Sequence, residues 1–371
     1  MPSADPVSSL PRSRMAIVAE GVGKLALKHG LPMPVLEPDV VIVKTAAVAM
    51  NPSDAKFLDY SPAPGAIHGT DFAGTVVALG EEAAESGRFA VGDRVAGLVH
   101  GMNKLKPEVG SFAEYIGATI HTLLKIPDEM DFQDAATLGL AVATATFGLF
   151  KELRVPASLD QLARGGGIND QDREFVLVAG GSTSTGTRAI QLLKIAGLRP
   201  IATCSPSKFD LALRFGAEKV FDYHSPTCGA DIRAYTGNQL TYAFDCIAEA
   251  DTTQLCYAAI GRAGGQYVTL EPFRESVAKS RASTIEPSWF LATSIFGNKI
   301  ALDGVYGREA RAEDREFATE AFLAVQKVLD QGLIETHPVK TMPGGWQGVL
   351  GGVDTMRSQP PSGYKLVYSV E

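Results

Sequence analysis

The segment Gly180-Gly181-Ser182-Thr183-Ser184-Thr185-Gly186 gathers small and hydroxyl-bearing residues into one turn. It lies between an apolar strand, Phe175-Val176-Leu177-Val178-Ala179, and a helix that repeats Ala189, Leu192, Leu193 and Ala196 at helical spacing before Gly197. The first N–H groups of a helix have no intrahelical acceptor, so a strand, a tight turn and a helix start make an anion site. Phosphate is its expected guest, with Ser182, Thr183, Ser184 and Thr185 on the pyrophosphate side. The segment departs from G-x-G-x-x-G, and as a pattern alone it equally suits an ordinary strand-to-helix turn. Its context favours a nucleotide. A second strand, Pro200 to Thr203, follows at the expected distance. At its end, where an NAD site carries Asp or Glu for the ribose 2′-hydroxyl, the chain reads Cys204-Ser205-Pro206-Ser207-Lys208. Ser205 can cap a new helix with Pro206 in its first turn, and Lys208 adds a positive charge, which suits a 2′-phosphate. NADPH is therefore expected rather than NADH. The plainer alternative is a simple cap and a solvated surface lysine.

At 371 residues the chain exceeds what one core usually covers, so two domains are expected, and an apolar content of 45% suffices to bury both. The net charge of −8 and pI of about 5.4, with no run of Lys and Arg, argue against a nucleic-acid partner. Cys204, Cys228, Cys246 and Cys256 lie outside any C-x-x-C pair and read as reduced, mostly buried thiols. The first fourteen residues are polar and Pro/Ser-rich, and no apolar run approaches about 18 residues, so neither secretion nor membrane insertion is expected. A cytoplasmic location is the default.

From Met15 to about residue 126 the elements are short and punctuated by Gly and Pro, with strands expected at Val40 to Met50, Gly74 to Leu79, Asp93 to Val99 and Phe112 to Ile116. This is a β-rich, barrel-like region. Residues 131 to 151 carry enough Ala, Leu and Phe for buried helix, and Arg154 to Asp172, with Pro156 and Gly165-Gly166-Gly167, reads as a surface insertion or linker. Beyond it, strands near 175–179, 200–203, 219–222, 241–246 and 266–270 alternate with helices near 187–196, 206–215, 230–236 and 251–260. That alternation implies a doubly wound parallel sheet. A charged amphipathic helix from Glu313 to Gln331, a Gly- and Pro-rich stretch from Met342 to Gly363 and a last strand from Lys365 to Val370 complete the chain.

Four segments carry a resemblance: Asn51-Pro52-Ser53-Asp54-Ala55-Lys56, Gly69-Thr70-Asp71-Phe72-Ala73-Gly74, Val91-Gly92-Asp93-Arg94-Val95 and Gly261-Arg262-Ala263-Gly264-Gly265. With them the chain resembles the medium-chain dehydrogenase/reductase superfamily nearly end to end. The resemblance implies an α/β architecture: a β-rich GroES-like barrel domain for catalysis (residues 1–155 and 300–371) and a doubly wound parallel, or Rossmann, domain for NADPH (156–299). Zinc-dependent relatives have a Cys near Asn51 and a His-Glu pair where Thr70-Asp71 stands here, and no cysteine precedes Cys204, so no metal is expected. His68 and His100 then read as satisfied imidazoles. Within the zinc-free branch, Ile201 to Pro206, Ala217 to Tyr223 and Ala258 to Gly265 are similar to the stand-alone enoyl reductases that act in trans with fungal polyketide synthases, the lovastatin-pathway type.

That resemblance implies NADPH-dependent reduction of an α,β-unsaturated thioester on the acyl carrier protein of a partner polyketide synthase, by a monomer. The enolate that forms needs donors, and the α-carbon needs a proton. By resemblance Ser53, Lys56 and Thr144 lie at the nicotinamide end, with Lys56 as electrostatic partner or proton relay; a contact from Lys56 to the cofactor ribose or phosphate is the open alternative. Asp54 is expected to be a turn residue bonding its own backbone. Ser205, Lys208 and Tyr223 would surround the adenosine 2′-phosphate and ring, Leu270 and Glu271 would follow the cofactor past a strand end, and Ser362 and Gly363 would close over the nicotinamide. Tyr223 equally suits a core aromatic. Lys104, Lys106, Arg308 and Arg311 are candidates for a carrier-facing basic patch. Two other functions share these segments: an NADPH:quinone or free enone oxidoreductase, and a non-catalytic NADPH-binding scaffold.

Overall fold

The structure is a computed structural model that describes residues 10–165 and 173–371. Its strands are β1 (Ser13–Gly21), β2 (Lys24–Pro32), β3 (Val40–Ala49), β4 (Asp71–Leu79), β5 (Arg94–Leu98), β6 (Tyr115–Thr119), β7 (Leu123–Lys125), β8 (Phe175–Ala179), β9 (Arg199–Cys204), β10 (Lys219–Asp222), β11 (Tyr242–Asp245), β12 (Gly265–Thr269), β13 (Ile285–Trp289), β14 (Val339–Met342) and β15 (Lys365–Ser369). Two compact units divide the chain: Met1–Leu140 with Phe296–Arg315 and Pro338–Glu371, and Ala141–Ile295 with Glu316–His337.

In the first unit a mixed sheet runs β14-β15-β3-β4-β5-β7, with β6 also on β3, and the hairpin β1-β2 joins through bridges Ala16 to Ala113 and Val18 to Ile67. Strand β3 is buried at every position but Lys44, as expected of Val-Val-Ile-Val and Ala-Ala-Val-Ala runs covered on both faces. Its core gathers Val41, Val43, Phe72, Val95, Phe112 and Ile116 with Leu58 and Val353 from two covering helices.

In the second unit six parallel strands stand in the order β10-β9-β8-β11-β12-β13. The order reverses between β8 and β11, and a doubly wound sheet binds its ligand outside the carboxyl ends of the strands at such a point. The helices Ser184–Ile195, Phe209–Arg214, Cys228–Tyr235 and Ala250–Ala259 supply the crossovers.

Four expectations are corrected. The Gly- and Pro-rich stretch near the C-terminus contains a 14-residue helix, Gly345–Ser358. Its glycines are tolerated because packing overrides propensity: a Cβ on Gly352 would meet Met50 Cε and Tyr368 Oη at 2.6 Å, so Gly is what lets this helix dock. The linker holds a short helix, Leu159–Ala163, with a capping box between Ser158 and Gln161; Gly166 to Asp172 lie outside the described residues. The strand expected at Phe112 to Ile116 runs from Tyr115 to Thr119. The parallel sheet has a sixth strand, β13, whose Pro287 hides it in the sequence and fits its place at the sheet edge. Among the described residues no helix is long and apolar enough to cross a membrane.

Candidate functional site

In the second unit, β8 delivers the chain to Gly180 at the switch point. Gly180 has φ +82, and a Cβ there would meet Ile247 at 2.7 Å. Its N–H and that of Gly181 both donate to Thr203 O, at 3.1 and 2.9 Å, which ties the turn to the end of β9. A Cβ on Gly181 would meet Ala202 Cβ at 2.6 Å, and one on Gly186 would lie 2.2 Å from Gly180 O. The three glycines thus serve a left-handed turn, a close strand contact and a close helix contact. These are the jobs of the usual fingerprint at different spacing.

Thr183 is the N-cap of the helix Ser184–Ile195: its hydroxyl accepts from Gly186 N–H at 2.9 Å and donates to Gly180 O at 2.9 Å. It is spent on the turn. The N–H groups of Ser184 and Thr185 have, as at any helix start, no intrahelical acceptor, and Ser184 Oγ is buried without a hydrogen-bond partner. Ser182, Ser184 and Thr185 are half-buried. An orphaned hydroxyl beside open N–H groups fits a phosphate. Thr187 and Arg188 are engaged further along the helix: Thr187 Oγ1 meets His337 Nδ1 at 2.9 Å, and Arg188 Nη2 donates to Glu335 O at 3.2 Å.

At the end of β9 Ser205 has the extended backbone of an N-cap, with Pro206 following, yet its side chain caps nothing. Its Oγ instead lies 3.4 Å from Tyr223 Oη. The helix beginning there is a 3₁₀ turn, Pro206–Lys208, followed by six α-helical residues, so the expected side-chain cap by Ser205 is corrected. The two tyrosine-and-serine candidates do come together, because β9 and β10 pair Cys204 with Asp222. Tyr223 is 44% exposed and stacks on His224 at 4.0 Å, so the core-aromatic alternative does not hold. The nearest acid, Asp222, is committed to His224, whose N–H and Nδ1 hold its carboxyl below the usual range. Lys208 is half-buried on the same turn.

Leu270 and Glu271 follow β12 and are half-buried. Sequence reasoning missed Asp245, buried at the end of β11. It accepts from Ile247 and Ala248 N–H (3.0 Å each), Thr252 Oγ1 (2.8 Å) and Tyr267 Oη (2.8 Å), and so holds Ile247 against Gly180. Burial raises its pKa against those four donors. A carboxylate ending a strand, with Thr252 seven residues on, was the available signal.

In the first unit, Asn51 precedes the helix Pro52–Tyr60. Ala55 and Leu58 face the core, while Ser53 and Lys56 stand three residues apart on the other side. Ser53 Oγ is buried without a hydrogen-bond partner; Lys56 is exposed. Asp54 Oδ2 accepts Asn51 N–H at 2.7 Å, the local turn bond expected of it, and Thr70 Oγ1 lies 3.4 Å from Oδ1. Asp71 Oδ2 accepts Asn51 Nδ2 at 3.0 Å and the ammonium of Lys365, and Oδ1 accepts Leu140 N–H at 2.5 Å. Ser362 is exposed, and Gly363 has φ +74 just before β15. Thr144 is buried on the helix Gly139–Thr146. The candidates thus fall on both units. His68 packs edge-on to Phe112 (5.4 Å) and His100 stacks on Phe296 (6.1 Å); burial pushes both down to about 4, so they are neutral rings.

Burial raises Asp54 from 3.8 to about 7, because the site desolvates its charge more than the Asn51 bond favours it. The folded chain then keeps a proton that the unfolded chain loses. The associated stability is full below pH 4 and is lost as pH rises through about 7. Asp54→Asn keeps an acceptor for Asn51 and cannot ionise. Melting across pH 5 to 8 should show the wild type losing about 2–3 kcal/mol relative to this variant. Parallel profiles would show that Asp54 does not titrate there.

The four candidates for a basic patch are engaged: Lys104 with Asp303 (2.8 Å), Lys106 with Glu37 (3.0 Å), Arg311 with Glu313 (2.8 Å), and Arg308 with the carbonyls of Val305 and Gly307 (2.5 and 2.9 Å). For three of them an acid lies against the charge. The cysteines are free and mostly buried, with burial raising Cys204 and Cys228 to about 11.

Two family models match the chain: the alcohol dehydrogenase GroES-like domain over residues 37–128 and the zinc-binding dehydrogenase over 185–286. The trans-enoyl reductase caaB of Aspergillus niger is 61% identical over 370 residues, covering 100% of both chains. The trans-enoyl reductase thnE of Trichoderma harzianum is 60% identical, again over 100% of both. Among solved structures, the CurK enoyl reductase aligns with a TM-score of 0.72 at 19% identity over 96% of this chain and 99% of that one, which bears on the fold alone. The residues present do not fit a zinc ion. Among the described residues no group of three or more His, Cys, Asp or Glu stands together, Asn51 and Thr70 offer an amide and a hydroxyl, and Asp71 is already paired with a cation. They do fit a nicotinamide dinucleotide at the switch point. The chain belongs to the trans-enoyl reductases of the medium-chain dehydrogenase/reductase superfamily.

Proposed function

We propose that the protein is an NADPH-dependent enoyl reductase that acts in trans on an α,β-unsaturated thioester held by the acyl carrier protein of a partner polyketide synthase, and that it works as a monomer in the cytoplasm. The observation that carries this reading is the 61% identity, over the whole of both chains, with a trans-enoyl reductase. When bound, the cofactor supplies a hydride to the β-carbon. Ser184 and Thr185 at the helix start take the pyrophosphate, with Ser182 and Thr183 completing the turn; Leu270 and Glu271 line its path. Ser205, Lys208 and Tyr223 surround the adenosine 2′-phosphate, and the adjacent Asp222 carboxylate is bonded to His224. Ser53, Lys56 and Thr144 stand at the reacting end, where Lys56 offers a donor and a charge to the enolate oxygen. Ser362 and Gly363 close over it.

NADPH oxidation measured with a carrier- or pantetheine-bound enoyl thioester, a small enone and a quinone tests this. Turnover of the thioester is expected. Fast turnover of the quinone alone would support the quinone reductase reading, and NADPH binding without turnover of any acceptor would support the scaffold. Lys208→Ala with Ser205→Ala should lower the NADPH-to-NADH ratio of kcat/KM by about 10- to 100-fold, from one charge-assisted and one neutral contact. An unchanged ratio would place the 2′-phosphate elsewhere.

A further inference from the structure

The carboxylate of Asp71 is fully buried, and three segments that bear or adjoin candidate residues are fastened to it. Asn51, bonded to Oδ2 at 3.0 Å, is two residues before Ser53 and five before Lys56. Lys365, paired with the same oxygen, follows Ser362 and Gly363 by three and two residues. Leu140, whose N–H donates to Oδ1 at 2.5 Å, opens the helix on which Thr144 stands. Gly139 permits that approach: a Cβ there would lie 2.7 Å from Asp71 Oδ1 and 2.2 Å from Gly97 O.

We propose that Asp71 is a positioning residue for the reaction, fixing the mutual placement of the segment with Ser53 and Lys56, the start of the helix Gly139–Thr146 and the strand that follows Ser362 and Gly363, with Lys365 as the buried counter-charge that keeps it in place. The physical ground is an energetic mismatch. A buried ion pair contributes little net stability, because desolvation cancels most of its attraction, and an apolar pair of similar volume often does as well or better. What such a pair adds is a fixed geometry. Here every partner of the carboxylate is directional, and each belongs to a different segment. Hydride and proton transfer depend steeply on placement, and about 1 Å of error can cost about a hundredfold.

The inference rests on the reading that Ser53 and Lys56 stand at the reacting end. Asp71→Asn alone would strand the Lys365 ammonium and could unfold the unit, so the decisive protein is Asp71→Asn with Lys365→Met, which leaves no unpaired buried charge and still offers Leu140 an acceptor. Relative to wild type, this variant is expected to melt within a few degrees, to bind NADPH within about twofold, and to lose about 10- to 100-fold in kcat. Its kinetic isotope effect with NADPH deuterated at C4 should rise as hydride transfer becomes limiting. A folded double variant with wild-type kcat and isotope effect would overturn the inference. So would a loss of kcat that only tracks lost folding or lost NADPH binding. The comparison uses whichever acceptor the wild type reduces, so failure of the thioester reading changes the substrate and not this test; a wild type that binds NADPH yet reduces no acceptor overturns both.

Discussion

Lys56→Met is expected to slow enoyl-thioester reduction by about 10²- to 10⁴-fold, the range over which a positioned acid or base contributes, while NADPH binding changes little. As hydride reaches the β-carbon, negative charge gathers on the thioester oxygen and the α-carbon becomes basic. With no zinc-type ligand set among the described residues, side chains must meet that charge. Lys56 is exposed on the outer side of the helix Pro52–Tyr60, three residues from the orphaned hydroxyl of Ser53, while Ala55 and Leu58 hold the helix to the core. Methionine keeps the aliphatic stem and removes only the ammonium. Being exposed, the substitution should leave stability within about 0.5 kcal/mol. Arginine keeps the charge but spreads it over a planar fork, so it should restore only part of the rate if a point donor is needed. Steady-state kcat and the NADPH dissociation constant, measured side by side, decide the matter. A raised dissociation constant with unchanged kcat at saturation would place Lys56 on the cofactor ribose or phosphate instead.

The sequence made some of this site legible because some of its chemistry is local. A turn of small residues between an apolar strand and an amphipathic helix announces itself, and so does the missing acid after β9. The alternation of strands and helices in the second unit was readable for the same reason, except at β13, where Pro287 breaks the strand signature. What depends on distant packing was not readable. Gly345–Ser358 looks like a loop until Met50 and Tyr368 are placed against Gly352, although Trp346, Val349, Val353 and Met356 already had helical spacing. Asp71 gains its meaning from Lys365, 294 positions away, and Asp245 from Tyr267, 22 positions away. Ser205 offered a cap by type and position, but the pairing of β9 with β10 gave its hydroxyl a tyrosine instead. The same lesson holds for Lys104 and Lys106, whose acidic partners lie far from them in the chain.

Gly186→Val is expected to weaken NADPH binding by about 5- to 150-fold, which corresponds to about 1–3 kcal/mol of overpacking at the turn. No fingerprint counted this glycine, yet the structure gives it the tightest job of the three. Its Cβ position lies 2.2 Å from Gly180 O and 2.9 Å from Gly181 Cα, both backbone atoms, so no side chain can rotate away. The helix start must therefore retreat from the turn, or the turn must open. Either movement displaces the N–H groups of Ser184 and Thr185 from a shared anion and strains the bond from Gly186 N–H to Thr183 Oγ1. The loss should appear in affinity for the cofactor rather than in kcat at saturation, since Ser53 and Lys56 belong to the other unit. Gly351→Ala supplies the contrast. It is also a glycine within a helix, but nothing lies within 4 Å of its added Cβ, and relief of backbone entropy should stabilise the chain by about 0.5–1 kcal/mol with NADPH binding intact. Titration of NADPH fluorescence alongside thermal melts separates the two cases. Wild-type affinity in Gly186→Val would mean that the helix start is not where the pyrophosphate sits.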